Sequence, residues 1–393
     1  MIISPSDRIG KVKTYYFATK LAQIAQMNEE GAPIINLGIG SPDQLPPTAV
    51  IDKLGEASRG EDVNKYQSYT GLPQLKEAFA DWYQRHFNVD VDPTKEVLPL
   101  IGSKEGIMHI AMSFLNPGDK VLVPDPGYPA YRMTTLLAGA EPLPFDLRAD
   151  NDWQPDWEAL EQEDLSKVKI MWVNYPNMPT GAKGSRALFE KLIAFGKKHS
   201  ILICHDNPYG FILNDQPMSI MEVAGAEEVA LELNSLSKCY NMSGWRVGVM
   251  VANQEVISSV LKFKSNMDSG MYKPLQIAAT EALSQDQAWF DSLNEEYERR
   301  RKVVWEIMDI LQCQYDKDKA GLFVWGLVPQ DINDTEAWVE EILQKTRVFI
   351  TPGFIFGTNG AKYIRISLCT SVEIFQEALR KIEKYIILEK SIA

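Results

Sequence analysis

The stretch Ala230-Leu231-Glu232-Leu233-Asn234-Ser235-Leu236-Ser237-Lys238 decides how this chain is read. Its first four residues form a short apolar run with the character of a buried strand. Two hydroxyl side chains and a lysine follow at once, and Arg246, inside Gly244-Trp245-Arg246-Val247-Gly248, comes eight positions after Lys238. A lysine beside two hydroxyls at a strand end, with an arginine close behind, suits a phosphate and presents an amine. Desolvation or nearby positive charge would lower that amine's pKa and make it a Schiff-base nucleophile. Ser-x-Ser-Lys is equally at home on an ordinary polar loop, so the tetrapeptide alone leaves both readings open.

Outward from this stretch the same character repeats. Val121-Leu122-Val123, Val168 to Val173, Ile201 to Cys204 and Val247 to Val251 are short, nearly continuous apolar runs flanked by turn or helix signals. Strands buried on both faces look like this, and their alternation with helical segments argues a mostly parallel α/β sheet covered by helices. Helices are expected from Tyr16 to Asn28, over 72–87 with Pro73 in the first turn, and from Ser103 to Leu115. A single long, charged helix is expected over 281–311, linking the sheet to a smaller C-terminal α+β unit. The expected division is 1–40 (an N-terminal arm and part of the small domain), 41–285 (the large domain) and 286–393 (the small domain).

Four further segments carry candidate chemistry. His205-Asp206-Asn207-Pro208-Tyr209 follows a strand, where open α/β sheets gather their ligands. An Asp there suits a cationic ring nitrogen, and a Tyr three residues on suits an adjacent phenolic oxygen; an Asp cap and a core Tyr explain the same residues. Gly102-Ser103-Lys104-Glu105-Gly106 opens a helix whose first N–H groups favour phosphate, or it is a plain Ser cap. Asn174-Tyr175-Pro176-Asn177-Met178-Pro179-Thr180-Gly181 is a rigid turn in which a cis Met178–Pro179 bond is expected. Arg365 interrupts the apolar strand Lys362-Tyr363-Ile364-Arg365-Ile366-Ser367 and needs an anionic partner, either a substrate carboxylate or an internal acid.

Composition narrows the classes. The chain has 393 residues, 45% hydrophobic and 24% charged, which suits a globular protein with a large core. Its 40 basic and 53 acidic residues give a net charge of −13, which argues against nucleic acid as a partner. No apolar run approaches the ~20 residues of a membrane span, and the N-terminus lacks a secretory pattern, so a cytoplasmic location is expected. Cys204, Cys239, Cys313 and Cys369 form no CxxC pair, and the four histidines form no HExxH, so no metal site is expected.

Taken together, the order and spacing of these segments resemble the fold-type I, class I/II aminotransferases that depend on pyridoxal 5′-phosphate. The likeness runs from Leu37-Gly38-Ile39-Gly40 to the Arg365 strand, with 32 positions between Asp206 and Lys238 and eight more to Arg246. It implies Lys238 as the Schiff-base lysine and proton shuttle, Asp206 as partner of the ring nitrogen and Tyr209 as hydrogen-bond donor to the ring oxygen. It implies Tyr128 as the stacking aromatic and Ser103, Lys104, Ser235, Ser237 and Arg246 as phosphate ligands. Tyr66, five positions before Gly71, matches a tyrosine that reaches the phosphate of a neighbouring subunit, which implies a homodimer with shared sites. Gly40 and Arg365 would bind the substrate carboxylate, and Tyr15 or Tyr16 would cover the substrate.

One position departs from the family pattern. Where a second Asn usually precedes the Pro-Thr-Gly and bonds the ring oxygen, this chain has Met178, leaving Asn177 or Asn174 to substitute. Losing that bond would raise the pKa of the lysine's Schiff base. The implied reaction is ping-pong transfer of an amino group between an amino acid and a 2-oxo acid. Leu37 to Gly40, Gly102 to Gly106 and Asp125 to Pro129 look most like the LL-diaminopimelate aminotransferases and their relatives, which makes that amino acid the expected donor. A β- or γ-lyase or a synthase would keep the same Lys238, Asp206 and Arg365. A non-enzymatic sensing domain is disfavoured, because no basic helix-turn-helix segment fits before Gly40.

Overall fold

The computed structural model describes residues 3–12, 16–31 and 33–392, the side chains of 389–392 excepted. At its centre lies a seven-stranded sheet. In spatial order its strands are Val97–Leu100, Gly248–Ala252, Ala230–Ser235, Leu202–Asp206, Val168–Val173, Lys120–Asp125 and Glu141–Asp146. Gly248–Ala252 runs antiparallel to both neighbours, and the remaining pairings are parallel, as the buried apolar runs predict. Helices such as Ser103–Phe114 and Arg186–His199 cover the sheet. The carboxyl ends of four adjacent strands therefore deliver Tyr128, Asn174, Asp206 and Ser235 to one edge.

The Leu202–Asp206 strand runs two residues past the expected end at Cys204. His205 and Asp206 pair with Glu232 and Leu233 of the neighbouring strand, so the backbone stays extended through two buried polar residues. Hydropathy stops at Cys204 because it cannot register that both side chains find partners. His205 Nδ1 lies 2.8 Å from Glu232 Oε2, and Asp206 accepts from Tyr131.

The single helix expected over 281–311 is two. Lys273–Leu283 ends at Ser284, and Asp286 then caps a new helix, Gln287–Ile310, by accepting from the Ala288 N–H at 3.1 Å. An aspartate that takes an orphan N–H is a local stop-and-start signal that helical periodicity overrides.

The C-terminal region builds a four-stranded antiparallel sheet in the order Thr351–Pro352, Tyr363–Ser367, Phe323–Leu327 and Gln314–Tyr315. Arg365 sits mid-strand, opposite Trp325 on one side and Thr351 on the other. The N-terminal part joins this region: Ile35–Asn36 pairs in parallel with Val348–Phe349. Helix Tyr16–Glu29 places Lys20 2.8 Å from Glu340 of helix Thr335–Thr346. Among the described residues no helix is long and apolar enough to cross a membrane. Glu105, His109 and Asp268 bring three metal-type donors together behind helix Ser103–Phe114, but the Lys264 ammonium, 2.5 Å from Asp268, already supplies a cation there.

Candidate active site

A cavity of about 480 Å³ opens between the carboxyl edge of the large sheet and the Arg365 strand. At one end stand Ser103, Lys104, Ser235, Ser237 and Arg246, all lining the cavity. The start of helix Ser103–Phe114 faces this end, and Gly102, at φ +82°, leaves the space that the Arg246 guanidinium fills. A Cβ at Gly102 would run into that guanidinium, so the glycine is required by close approach as well as by backbone conformation. Arg246 is fixed by the Ser243 carbonyl at 2.8 Å and lies 3.4 Å from the Ser237 hydroxyl. Hydroxyls, a guanidinium and a helix start make an anion cup.

In the middle of the cavity stand Lys238 and Asp206. Short helix Leu236–Cys239 projects Lys238 so that its Nζ donates to the Gly40 carbonyl at 2.5 Å. Burial lowers the amine's pKa below the ordinary lysine value; Cys369 opposes this, while Arg365 and Arg246 reinforce it. Burial likewise raises the Asp206 carboxyl to about 6, against the lowering effect of the hydrogen bond from Tyr131 and of the nearby His205 and Lys238. Tyr131 donates to Asp206 Oδ2 at 2.7 Å, and its ring stacks on Trp172 at 4.9 Å with a 5° interplanar angle. Asp206 Oδ1 is buried without a hydrogen-bond partner among the described residues. An ionised carboxylate oxygen left so is costly unless a cation meets it. Tyr209 and Tyr128 also line the cavity, and burial pushes the Tyr209 phenol up, so it stays a donor.

At the far end Arg365 is held among aromatic rings. Its guanidinium carbon lies 4.0 Å from the Phe323 centroid, 4.6 Å from Phe356 and 5.6 Å from Phe17. Nη2 donates to the Gly38 carbonyl at 2.6 Å, and Nη1 lies 3.3 Å from the Met178 sulfur. Rings on the guanidinium keep water away while leaving its planar fork to present to a carboxylate.

Most of the described residues singled out from the sequence thus meet in one place, while Asn177, Tyr66 and Tyr16 do not line it. Asn177 does not line the cavity: its Oδ1 accepts from the Thr180 hydroxyl at 2.8 Å, which ties it into the turn. Asn174 lines the cavity instead, with Nδ2 donating to the Asp206 carbonyl at 2.6 Å and Oδ1 accepting from Met178 N. Tyr66 is 90% exposed and away from the cavity of its own chain. Tyr15 lies outside the described residues; Tyr16 is half-buried and packs edge-on against Phe354 at 5.6 Å. The Met178–Pro179 bond is cis, as are Asp125–Pro126 and Tyr175–Pro176. Sequence reasoning missed Tyr131, whose only signal is its place three residues after Tyr128 in the first turn of helix Pro129–Leu137.

The aminotransferase class I and II family matches residues 32–382. The chain belongs to that family. A relative in Dehalococcoides mccartyi named LL-diaminopimelate aminotransferase is 40% identical over 382 residues, spanning 97% of this chain and 98% of its own. One of the same name in Desulforudis audaxviator is 41% identical over 96% of each chain. Among solved structures, substrate-bound BacF from Bacillus subtilis superposes with a TM-score of 0.93 at 36% identity, covering 98% of both chains. An aromatic aminotransferase from Pyrococcus horikoshii gives 0.88 at 27% identity over 98% of this chain and 99% of its own. Fold and aminotransferase activity therefore stand as the sequence implied.

Proposed function

We propose that this aminotransferase uses pyridoxal 5′-phosphate, takes LL-diaminopimelate as amino donor and works as a homodimer. The observation that carries the cofactor is the buried, unpartnered Oδ1 of Asp206 in a cavity whose one end is an anion cup. The residues fit the group: Asp206 for a protonated ring nitrogen, Tyr209 for the ring oxygen, Tyr128 for the ring face. Ser103, Lys104, Ser235, Ser237 and Arg246 suit the phosphate. When bound, the group supplies an electron sink for negative charge at the substrate Cα. Lys238 would hold the group through its amine and, with that amine free, would take the substrate Cα proton. The lowered pKa keeps that amine in its basic form nearer neutral pH. Arg365 and Gly40 orient the substrate by its carboxylate, and the rings of Phe17, Phe323 and Phe356 exclude water around it. Met178 leaves the ring oxygen to Tyr209. The names of the 40% identical relatives support LL-diaminopimelate as donor.

The test is a visible spectrum of the purified protein, repeated after each of a panel of amino acids. A yellow protein that bleaches with LL-diaminopimelate and recovers with a 2-oxo acid is expected. A protein that stays colourless with added cofactor would sink the reading.

Tyr131→Phe removes a donor that lowers the Asp206 pKa, so the carboxyl stays protonated to higher pH. Cofactor retention needs the carboxylate form and is lost as pH falls through that pKa; the acid limb of the retention curve therefore moves up. Loss of one charge-assisted hydrogen bond makes retention at neutral pH weaker by about tenfold. Equilibrium dialysis across pH reads both effects, and a limb that stays put contradicts the role.

The dimer is supported by the exposed side chains of Tyr66, Tyr69, Met267 and Tyr272. They flank two touching loops, since Gly270, at φ +84°, packs against the Gln67 and Ser68 carbonyls. Tyr66→Ala should release cofactor, and mixing it with Lys238→Ala should restore activity at cofactor levels too low for either variant alone. Random pairing gives one native site in half the dimers, or about a quarter of native activity. No recovery would argue for sites built within one chain.

A further inference from the structure

The segment 37–43 rims the cavity through residues 38–41 and touches two of its cations. The Gly38 carbonyl accepts from Arg365 Nη2 at 2.6 Å, and the Gly40 carbonyl accepts from Lys238 Nζ at 2.5 Å. Ser41 Oγ lies 3.0 Å from Ser243 Oγ, beside the carbonyl that fixes Arg246. Where this segment sits therefore bears on three site residues at once. Its first end is tied to backbone: Leu37 N donates to Phe349 O at 2.9 Å, and Leu37 O accepts from Ser367 N at 2.8 Å. Its middle has no slack, for a Cβ on Gly40 would collide with the Phe323 ring and one on Gly38 with Phe349.

The second end is held by charge. Arg300, only 3% exposed on helix Gln287–Ile310, donates through Nη1 and Nη2 to the two oxygens of Asp43 at 2.6 and 3.1 Å. Its Nε donates to Glu296 at 2.8 Å and Nη1 also to the Leu368 carbonyl at 3.0 Å. Leu368 comes three residues after Arg365 in the chain, so one guanidinium ties the rim, the long helix and the exit of the Arg365 strand. A fork-on-fork pair fixes direction as well as distance.

We propose that Asp43 and Arg300 are positioning residues: a clamp that sets the rim carbonyls of Gly38 and Gly40 against Arg365 and Lys238 and so governs substrate binding. The proposal rests on the transaminase reading above. Releasing the clamp frees the Gly40 side of the rim, the side farther from the tied Leu37, so Gly40 loses its preset place beside the carboxylate that Arg365 would receive. Lys238 keeps its own helix, so the proton step is less affected. The consequence is a split, with KM rising and kcat holding.

Asp43→Asn and Asp43→Ala separate this from plain stability. Removing Asp43 leaves Arg300 still paired with Glu296 and the Leu368 carbonyl, so the heavy cost of a lone buried charge is avoided and the variants fold. In the cofactor-loaded enzyme, with the donor that bleaches the native protein, Asp43→Ala should raise KM by roughly tenfold and leave kcat within about threefold. Asp43→Asn, which keeps the shape and one acceptor, should recover part of that loss. Amide exchange, read without any turnover, should quicken in peptides spanning 37–43 and stay unchanged in those spanning 97–125. A merely structural pair would lower the melting temperature and leave the KM of the folded enzyme alone. Unchanged KM in both variants, or unchanged exchange over 37–43, overturns the clamp. A native enzyme that bleaches with no donor would instead condemn the function proposed above.

Discussion

Lys238→Ala is expected to cut turnover by at least about a thousandfold, the largest effect of any single substitution in this chain. Two jobs fall together on this amine. On the proposed reading it would hold the cofactor and move the Cα proton, so truncation removes the anchor and the base in one step. Among the described residues lining the cavity, Tyr209 is pushed up by burial and stays a donor, and Asp206 is the residue proposed above to meet the ring nitrogen rather than the Cα. A readout independent of rate comes from borohydride reduction followed by peptide mapping. Native protein should carry the cofactor's mass on the peptide containing Lys238, and the variant should carry it nowhere. Activity within tenfold of native, or a label on another lysine, would refute the assignment. Adding a small primary amine should return part of the proton transfer, because the truncated side chain leaves room for a free base.

The same lysine shows which kind of site a sequence makes legible. Ser235, Ser237, Lys238 and Arg246 lie within twelve residues, so one strand end and the next loop suffice to bring them together. Spacing alone exposes a site of that kind. The pairs that spacing does not reveal are joined across long stretches of chain. Tyr131 meets Asp206 over 75 residues, and Arg300 meets Asp43 over 257. Nothing local marks either: Tyr131 reads as a core aromatic and Arg300 as one of three consecutive arginines on a polar helix. Only the packing shows that Arg300 is the most buried of the three, at 3% exposed against 17% for Arg301 and 65% for Arg299. Strand ends are hidden for a related reason. His205 and Asp206 look like a loop to any hydropathy measure, and partners such as Glu232, the Tyr175 carbonyl and Tyr131 make their burial tolerable. Asn177 is turned away by the loop itself, in which the Gly181 N–H closes back on its carbonyl at 2.7 Å and leaves Asn174 facing the cavity.

Arg365→Ala should raise the KM for the donor by about 10- to 100-fold while lowering kcat less, because a charge-assisted pair of hydrogen bonds to a carboxylate contributes on the order of 1.5–3 kcal/mol. The aromatic cage sharpens this expectation. Phe323, Phe356 and Phe17 close around the guanidinium, so the pair forms away from water, where charge is worth more. It also predicts that Arg365→Lys rescues poorly. A lysine ammonium is compact and strongly hydrated; it offers no planar face to Phe323 and no fork to a carboxylate. Amines without a carboxylate give the internal control: their reaction, however slow, should be nearly indifferent to Arg365→Ala. The ratio of the two substrates then isolates the carboxylate's share from any general disturbance of the cavity. If both substrates lose equally, Arg365 is bracing the wall formed by Gly38 and Met178 rather than binding the substrate. Discrimination for the carboxylate would then have to come from Gly40 and the rim that Asp43 and Arg300 hold in place.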